Sequence, residues 1–308
     1  MEFGLDRRDT AGSISNVLLN YAIMTGLTSG ALYALIAVGI VLVYKSTKVI
    51  NLAHGDLVMV CGFLAYAFHV QLGLSYFLAF LLAVACGFVI GLVVYQIALR
   101  PLMKSSVANV LIATMALSFI FKGVARFFWG GIGDYIPFPP IASPEPMNLG
   151  DVMVLPQQLF ILAGSIVLML AFAVFFKSTP LGKWMRATAD NVKAAKLVGI
   201  QTERIYLLSF GIGAAIAGVA AVLMAPLTLL YPDMGFSLFL KAFAAAVLGG
   251  LDSILGAVLG GVLVGLVETL AATYIHSSFQ DVSSFVVIMF VLIFMPTGIL
   301  GSRGVRRV

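Results

Sequence analysis

Eight apolar stretches, most close to the length of a bilayer-spanning helix, follow one another along this chain with only short polar connections between them. A spanning helix needs about 20 mostly apolar residues, and candidate runs cover 17–44, 54–70, 76–98, 107–128, 158–176, 205–230, 242–275 and 282–301. Lipid offers no partner to backbone N–H and C=O groups, so such runs are expected to be helices that bond internally. Composition agrees, because only 10% of the 308 residues are charged against roughly 25% in soluble domains. The run from Val17 to Tyr44 is too long for a signal-peptide core and precedes no polar mature domain, so it reads as a retained helix. The expected fold class is all-α, a polytopic transmembrane helical bundle of about eight membrane segments forming one domain over residues 1–308.

Several function classes are disfavoured at once. The net charge of +5 is spread singly between apolar runs, without the aromatic-interleaved basic patch that tracks phosphates, so no nucleic acid is expected as a partner. Cys61 and Cys86 both lie inside apolar segments without ligand spacing, which argues neither a disulfide framework nor a metal site. His54, His69 and His276 are scattered, and no GxxxxGK[ST] phosphate loop is present. No catalytic, cofactor-binding or metal-ligating residue is expected, and the chain is not expected to be an enzyme.

Residues 177–204 hold six of the eighteen Lys and Arg residues. Cytoplasmic loops carry the excess of basic residues, so this segment fixes the inner face. Lys45, Lys48, Arg100, Lys104, Arg303, Arg306 and Arg307 join it there if the N-terminus is outside and the C-terminus cytoplasmic, which puts 13 of the 18 on one side. That topology requires an even number of crossings between Arg204 and the C-terminus. The 34-residue run 242–275 must then be two limbs or a re-entrant hairpin, broken where Gly249, Gly250, Asp252 and Ser253 fall. Broken helices line cavities and often form transporter binding sites, so these four are candidate pathway residues. The alternative is one long tilted helix.

Read as one helix, the coupling segment 178–204 aligns Lys183, Arg186, Asp190 and Lys193 on one face and Trp184, Thr188, Val192 and Ala195 on another. Such a helix either lies in the lipid interface or docks on a cytoplasmic motor, and Gly199 ends it. On the opposite side, residues 129–157 hold six of the eleven prolines, with Asp134, Glu145 and Asp151 and no Lys or Arg. This is expected to be a stiff irregular outside loop, either a solvated connection or a dock for an extracytoplasmic partner.

Membrane-embedded ionisable residues mark pathways or relays, and the candidates are Asp56, Lys122, Asp252 and Glu268. On a helix Glu268 shares a face with Gly261, Gly265 and Ala272, so it is expected between helices, as an inter-helix hydrogen-bonding group or a proton carrier. Asn51, His54 and Gly55, at the start of the second run, complete the pathway candidates, and Asp56 suits a cap. Small-residue pairs, Gly26 with Gly30, Gly87 with Gly91, Gly211 with Ala215 and Gly218, and Gly261 with Gly265, predict close helix contacts.

Three blocks, GLTSGALYALIAVGIVLVYKSTKVINLAHGDLVMVCGFLAY, LGKWMRATADNVKAAKLVGIQTERIYLLSFGIGAAIAGVAAVL and KAFAAAVLGGLDSILGAVLGGVLVGLVETL, resemble the LivH-like membrane subunits of branched-chain amino acid ABC importers. The resemblance implies an eight-span permease in the bacterial inner membrane. Its implied partners are a second homologous permease, two cytoplasmic ATPases that bind the ATP, and an extracytoplasmic amino-acid-binding protein. It also implies that the stretch with Ala194, Ala195 and Gly199 couples to the ATPase, although Lys193 stands where that family often has an acidic residue. Related permeases carry urea, short amides or other amino acids, and an ion-coupled secondary transporter is the rival class.

Overall fold

A computed structural model describes residues 7–130, 135–143, 145–149 and 152–301. Asp134, Asp151 and the arginines at 303, 306 and 307, named above for their charge, lie outside the described residues.

The chain folds as a helical bundle in the order α1 (Arg7–Thr47), α2 (His54–Tyr66), α3 (Tyr76–Val93), α4 (Val107–Trp129), a hairpin of β1 (Met147–Leu149) and β2 (Val152–Val154), α5 (Pro156–Ser178), α6 (Pro180–Asp190), α7 (Val192–Leu197), α8 (Thr202–Met224), α9 (Met234–Gly249), α10 (Ile254–Tyr274) and α11 (Phe279–Phe294). Six segments are long and apolar enough to cross a membrane, Val17–Thr47, Tyr76–Leu102, Val107–Trp129, Pro156–Ser178, Thr202–Met224 and Ile254–Tyr274, while Met234–Gly249 and Phe279–Phe294 are shorter apolar helices. Helix starts follow from side-chain caps on otherwise orphaned amides. Ser75, Ser106, Thr179, Asn191 and Ser253 each accept a hydrogen bond from the backbone N–H three residues on.

The bundle has two distinct ends. At the basic end α6 and α7 join α5 to α8, Arg100 pairs with Glu203 at 2.9 Å, and Lys45, Lys48, Asp190 and Asp252 line one pocket. At the hairpin end Ile136 bridges Leu230, and Arg126 pairs with Asp233. Between the ends α1, α2, α8 and α9 form the buried middle, whereas α3, α4, α5, α10 and α11 turn large apolar residues outward, among them Phe119, Phe127, Leu170 and Phe290. An exposed apolar belt of this kind suits lipid and not water.

Small residues bring the central helices together. A Cβ added at Gly30 would lie 2.8 Å from the Val262 Cα, and one at Gly261 would lie 2.5 Å from the Ala34 backbone, so α1 and α10 touch backbone to backbone. Gly87 and Gly91 of α3 meet Ala214 and Phe210 of α8 in the same manner.

The sequence expectations need three corrections here. The 205–230 run stops at Met224, because Pro226 follows with no backbone donor, and the next helix starts at Met234, ahead of the expected residue 242. The coupling segment is not one helix. It breaks at Asn191, whose extended backbone and capping Oδ1 begin α7 afresh, and within α6 Trp184 is half-exposed while Met185 and Thr188 are buried. Finally, the loop after α4 is not wholly irregular, because it contains the β1–β2 hairpin.

Candidate functional site

At the hairpin end a cavity of about 430 Å³ opens between the middle of α1, the start of α5, the α8–α9 connection, the first half of α9 and the start of α11. Its walls mix hydroxyls and amides, such as Ser29, Ser237 and Gln280, with Leu32, Met234 and Leu238. Lys241 is the charged residue in the lining. Its Nζ lies 2.7 Å from Glu268 Oε1 on α10 and 3.2 Å from Asp281 Oδ1 on α11, and 5.9 Å from the ring centroid of Tyr33 on α1. Four helices therefore meet at one ammonium group. The Lys241 side chain is 10% exposed and that of Glu268 1%, whereas Asp281 is 77% exposed. Stripping charges of water costs several kcal/mol per ion, so the buried lysine and glutamate need each other and Asp281 does not need either.

Glu268 reaches this point because Gly261 and Gly265 precede it on the same face and press α10 onto α1. The sequence expectation of an inter-helix position is thus met in geometry, and its partner is the cation of another helix.

The middle of the bundle is formed where the chain re-enters after α1. Residues 48–53 are not regular helix, Lys48 has φ +60°, and Asn51 is buried with its Oδ1 accepting from the Ala53 N–H at 3.2 Å. The start of α2 then meets the start of α9. A Cβ at Gly55 would collide with the Gly235 carbonyl and lie 2.7 Å from the Phe239 Cβ, and one at Gly235 would lie 2.8 Å from the Asp56 Cα. The His54 imidazole fills the gap left by Gly39 and Gly213, since a Cβ at Gly39 would sit 2.7 Å from its Nε2. Asn51, His54 and Gly55 are therefore brought together in a buried, tightly packed junction. Asp56 lies in the first turn of α2, but no side chain caps that helix.

The turn joining α9 to α10 is elsewhere. Gly250 adopts φ +105°, which favours glycine, and a Cβ there would also strike Gly301. Asp252 and Ser253 of this turn share the basic-end pocket with Lys45, Lys48 and Asp190. Glu268 is fifteen residues further along α10, on the order of 20 Å at 1.5 Å per residue. Gly249, Gly250, Asp252 and Ser253 thus belong to the basic end and are not joined to Glu268 in one site.

At that same end α6 packs on the bundle, with Met185 buried in a cluster with Leu42, Phe176 and Ile205, and the short α7 follows it with most of its residues exposed. Arg186 donates to the carbonyls of Phe176 and Lys177 at the end of α5, with its guanidinium 5.4 Å from the Phe176 ring centroid. It is a bracket to α5, whereas Lys183, Lys193 and Ala194 are exposed and Ala195 is buried. Gly199, with φ +86°, closes α7. Leu197 and Val198 project beside it at 89% and 76% exposure, too apolar a tip to be left to solvent without a reason. Among the described residues no group of three His, Cys, Asp or Glu is placed to hold a metal ion.

Residues 22–295 match the family model described as branched-chain amino acid transport system / permease component. The chain belongs to this permease family. It is 34% identical over 92% of its length to the high-affinity branched-chain amino acid transport system permease protein LivH of Escherichia coli K12, covering 96% of that protein. It is also 34% identical to BraD, the corresponding permease protein of Pseudomonas aeruginosa, over 93% of this chain and 97% of the other. Among solved structures, PsaBC from Streptococcus pneumoniae in complex with a Fab matches with a TM-score of 0.51 over 94% of this chain and 97% of that one, at 14% identity, a likeness of fold alone.

Within this permease chain, sequence reasoning found Glu268 but missed Lys241, Tyr33 and Asp281. Lys241 is a lone cation in GFSLFLKAFAAAVLGG. The rule that an ionisable group inside an apolar run needs a counter-charge would have found it had the run been started at Met234.

Proposed function

We propose that this chain is a single transmembrane domain serving as the permease subunit of an ATP-driven importer, moving branched-chain amino acids across a bacterial inner membrane. ATP is bound and hydrolysed on two cytoplasmic partner chains, a second related permease completes the membrane part, and an extracytoplasmic binding protein delivers the solute at the hairpin end. This chain carries out no covalent chemistry and holds no cofactor. The N-terminus is outside and the basic end faces the cytoplasm.

The family match supports the transport role, and the observation that carries the coupling is the α6–α7 unit. Two short helices cap the basic end, seated by Met185 against Leu42, Phe176 and Ile205 and tied to α5 by Arg186, and offer Lys183, Lys193 and an apolar Leu197–Val198 tip to a soluble partner. Motion of such a bracketed unit is transmitted to α5 and α8, which flank it in the chain. In this reading Asn51, His54 and Gly55 form a closed septum, with the Lys241 cavity on one side and the Gly249–Ser253 turn on the other.

Proteoliposomes test it. Vesicles holding this chain with its partner subunits should accumulate leucine, isoleucine or valine when ATP and the binding protein are supplied. Uptake by this chain alone, driven by an ion gradient or running passively down a solute gradient, would overturn the proposal.

A further inference from the structure

We infer that Lys241 is the carboxylate-binding group of a solute site in the hairpin-end cavity, and that Asp281 is the counter-ion the solute displaces. The inference rests on the importer reading above and assigns that machine a binding station in its own membrane part, specific for zwitterionic amino acids with apolar side chains.

The asymmetry of the two acid partners is the argument. An ammonium group has three donors in tetrahedral array. One is committed to Glu268, 2.7 Å away and 1% exposed, where loss of the cation would leave an unpaired buried carboxylate. Asp281 is an ion-pair partner, 3.2 Å away on a side chain 77% exposed, which water solvates equally well. That partner is exchangeable. Lys241 is held in place by the first acid and presented to the cavity by the weakness of its hold on the second.

The charge balance then selects the ligand. One cation with two carboxylates leaves the cluster at −1, so a multiply charged anion is repelled, and neither a simple amine nor an uncharged sugar has a carboxylate with which to displace Asp281. A zwitterion brings no net charge. Its carboxylate takes the place of Asp281 beside the Lys241 ammonium, and its own ammonium group is met by the neutral oxygens of Ser29, Ser237 and Gln280 on the same walls. An aliphatic side chain rests against Leu32, Met234 and Leu238. A volume of about 430 Å³ lies within the range of roughly 300–1,000 Å³ found for small-molecule sites.

The test uses the complete assembly in nanodiscs, without ATP or binding protein, and measures equilibrium binding of radiolabelled leucine together with uptake in vesicles. Two variants are compared with wild type, D281N and the double replacement K241M/E268Q, which removes both buried charges and leaves neither unpaired. D281N should tighten leucine binding several-fold because the competing carboxylate is gone. K241M/E268Q should weaken it by about tenfold or more, the loss of a charge-assisted hydrogen bond. Leucinol, which lacks the carboxylate, should not compete in either case. An assembly that imports leucine yet shows no binding that responds to these variants overturns the site and leaves the importer reading standing. An assembly that imports no branched-chain amino acid overturns that reading and the site with it.

Discussion

Lys241 on α9 and Glu268 on α10 form a buried ion pair, with Nζ and Oε1 2.7 Å apart and the glutamate almost fully enclosed. Breaking such a pair by removing one partner is far more damaging than replacing both, because the survivor stays charged and desolvated. K241M, which strands Glu268, should therefore lower stability by about 3–5 kcal/mol, E268Q should cost less because Lys241 keeps Asp281 at 3.2 Å, and K241M/E268Q should recover much of the K241M loss. Melting curves of the four proteins in one detergent decide it; a double variant as unstable as the sum of the singles would mean that water already reaches the pair.

The α1–α10 seam makes a second prediction. At Gly30, Gly261 and Gly265 an added Cβ meets the backbone of the facing helix, which cannot move aside as a side chain can. G265V should force α1 and α10 apart, displacing Glu268 from Lys241, and should cost about 1–3 kcal/mol or more through overpacking. Gly123 of α4 is the control, since nothing lies within 4 Å of a Cβ there. G123A should be neutral or stabilise by up to about 1 kcal/mol. Equal melting temperatures for G265V and G123A would refute the seam.

These two helices also show what the sequence made legible. Gly26, Gly30, Gly261 and Gly265 signalled close approach through their spacing, and the break at Gly249–Ser253 followed from glycine, Asp252 and charge alternation, all of which are local signals. The Lys241–Glu268 pair joins residues 27 apart on different helices, and no periodicity within one helix reports it. The start of α2 inside the bundle was hidden for the same reason, because the glycines that admit His54 belong to α1 and α8. The helix break at Asn191 had a local signal in the pair Asp190–Asn191, where Asn favours a cap over a helix interior, but the flanking basic residues kept a helical spacing that read through it.

Asn191 and Gly199 frame α7. Asn191 Oδ1 accepts from the Ala194 N–H at 3.0 Å, and Gly199 has φ +86°. N191A should cost α7 about 1 kcal/mol as a lost cap, and G199A a comparable amount through the left-handed backbone. A helix of six residues has little stability to spare, so both variants should insert normally yet transport poorly. Replacing Leu197 and Val198 together by serine should reduce copurification of the ATPase subunits without changing the melting temperature. Unchanged copurification would remove the tip from the coupling surface.

Orientation can be read by thiol labelling, because Cys61 and Cys86 sit within α2 and α3. A cysteine placed at exposed Lys193 should react with an impermeant maleimide only after the inner face is opened. One placed at exposed Ser143 should react in intact spheroplasts. The reverse pattern would invert the assigned topology and remove the cytoplasmic motor from α6 and α7.

Arg186 distinguishes bracket from docking surface. Its guanidinium holds the carbonyls of Phe176 and Lys177, where a cation also complements the negative end of α5. R186E would set a carboxylate against those carbonyls and loosen α6 from the end of α5, while Met185 keeps its buried contacts. Lys193 is exposed, so K193E changes only the outward charge. R186E should abolish uptake while ATP hydrolysis by the assembled complex continues, which is loss of transmission. K193E should weaken ATPase association in a salt-dependent manner, with residual uptake still coupled to hydrolysis. Uptake and ATPase rates on the same vesicles separate the two, and normal uptake by R186E would show that force does not pass through this bracket.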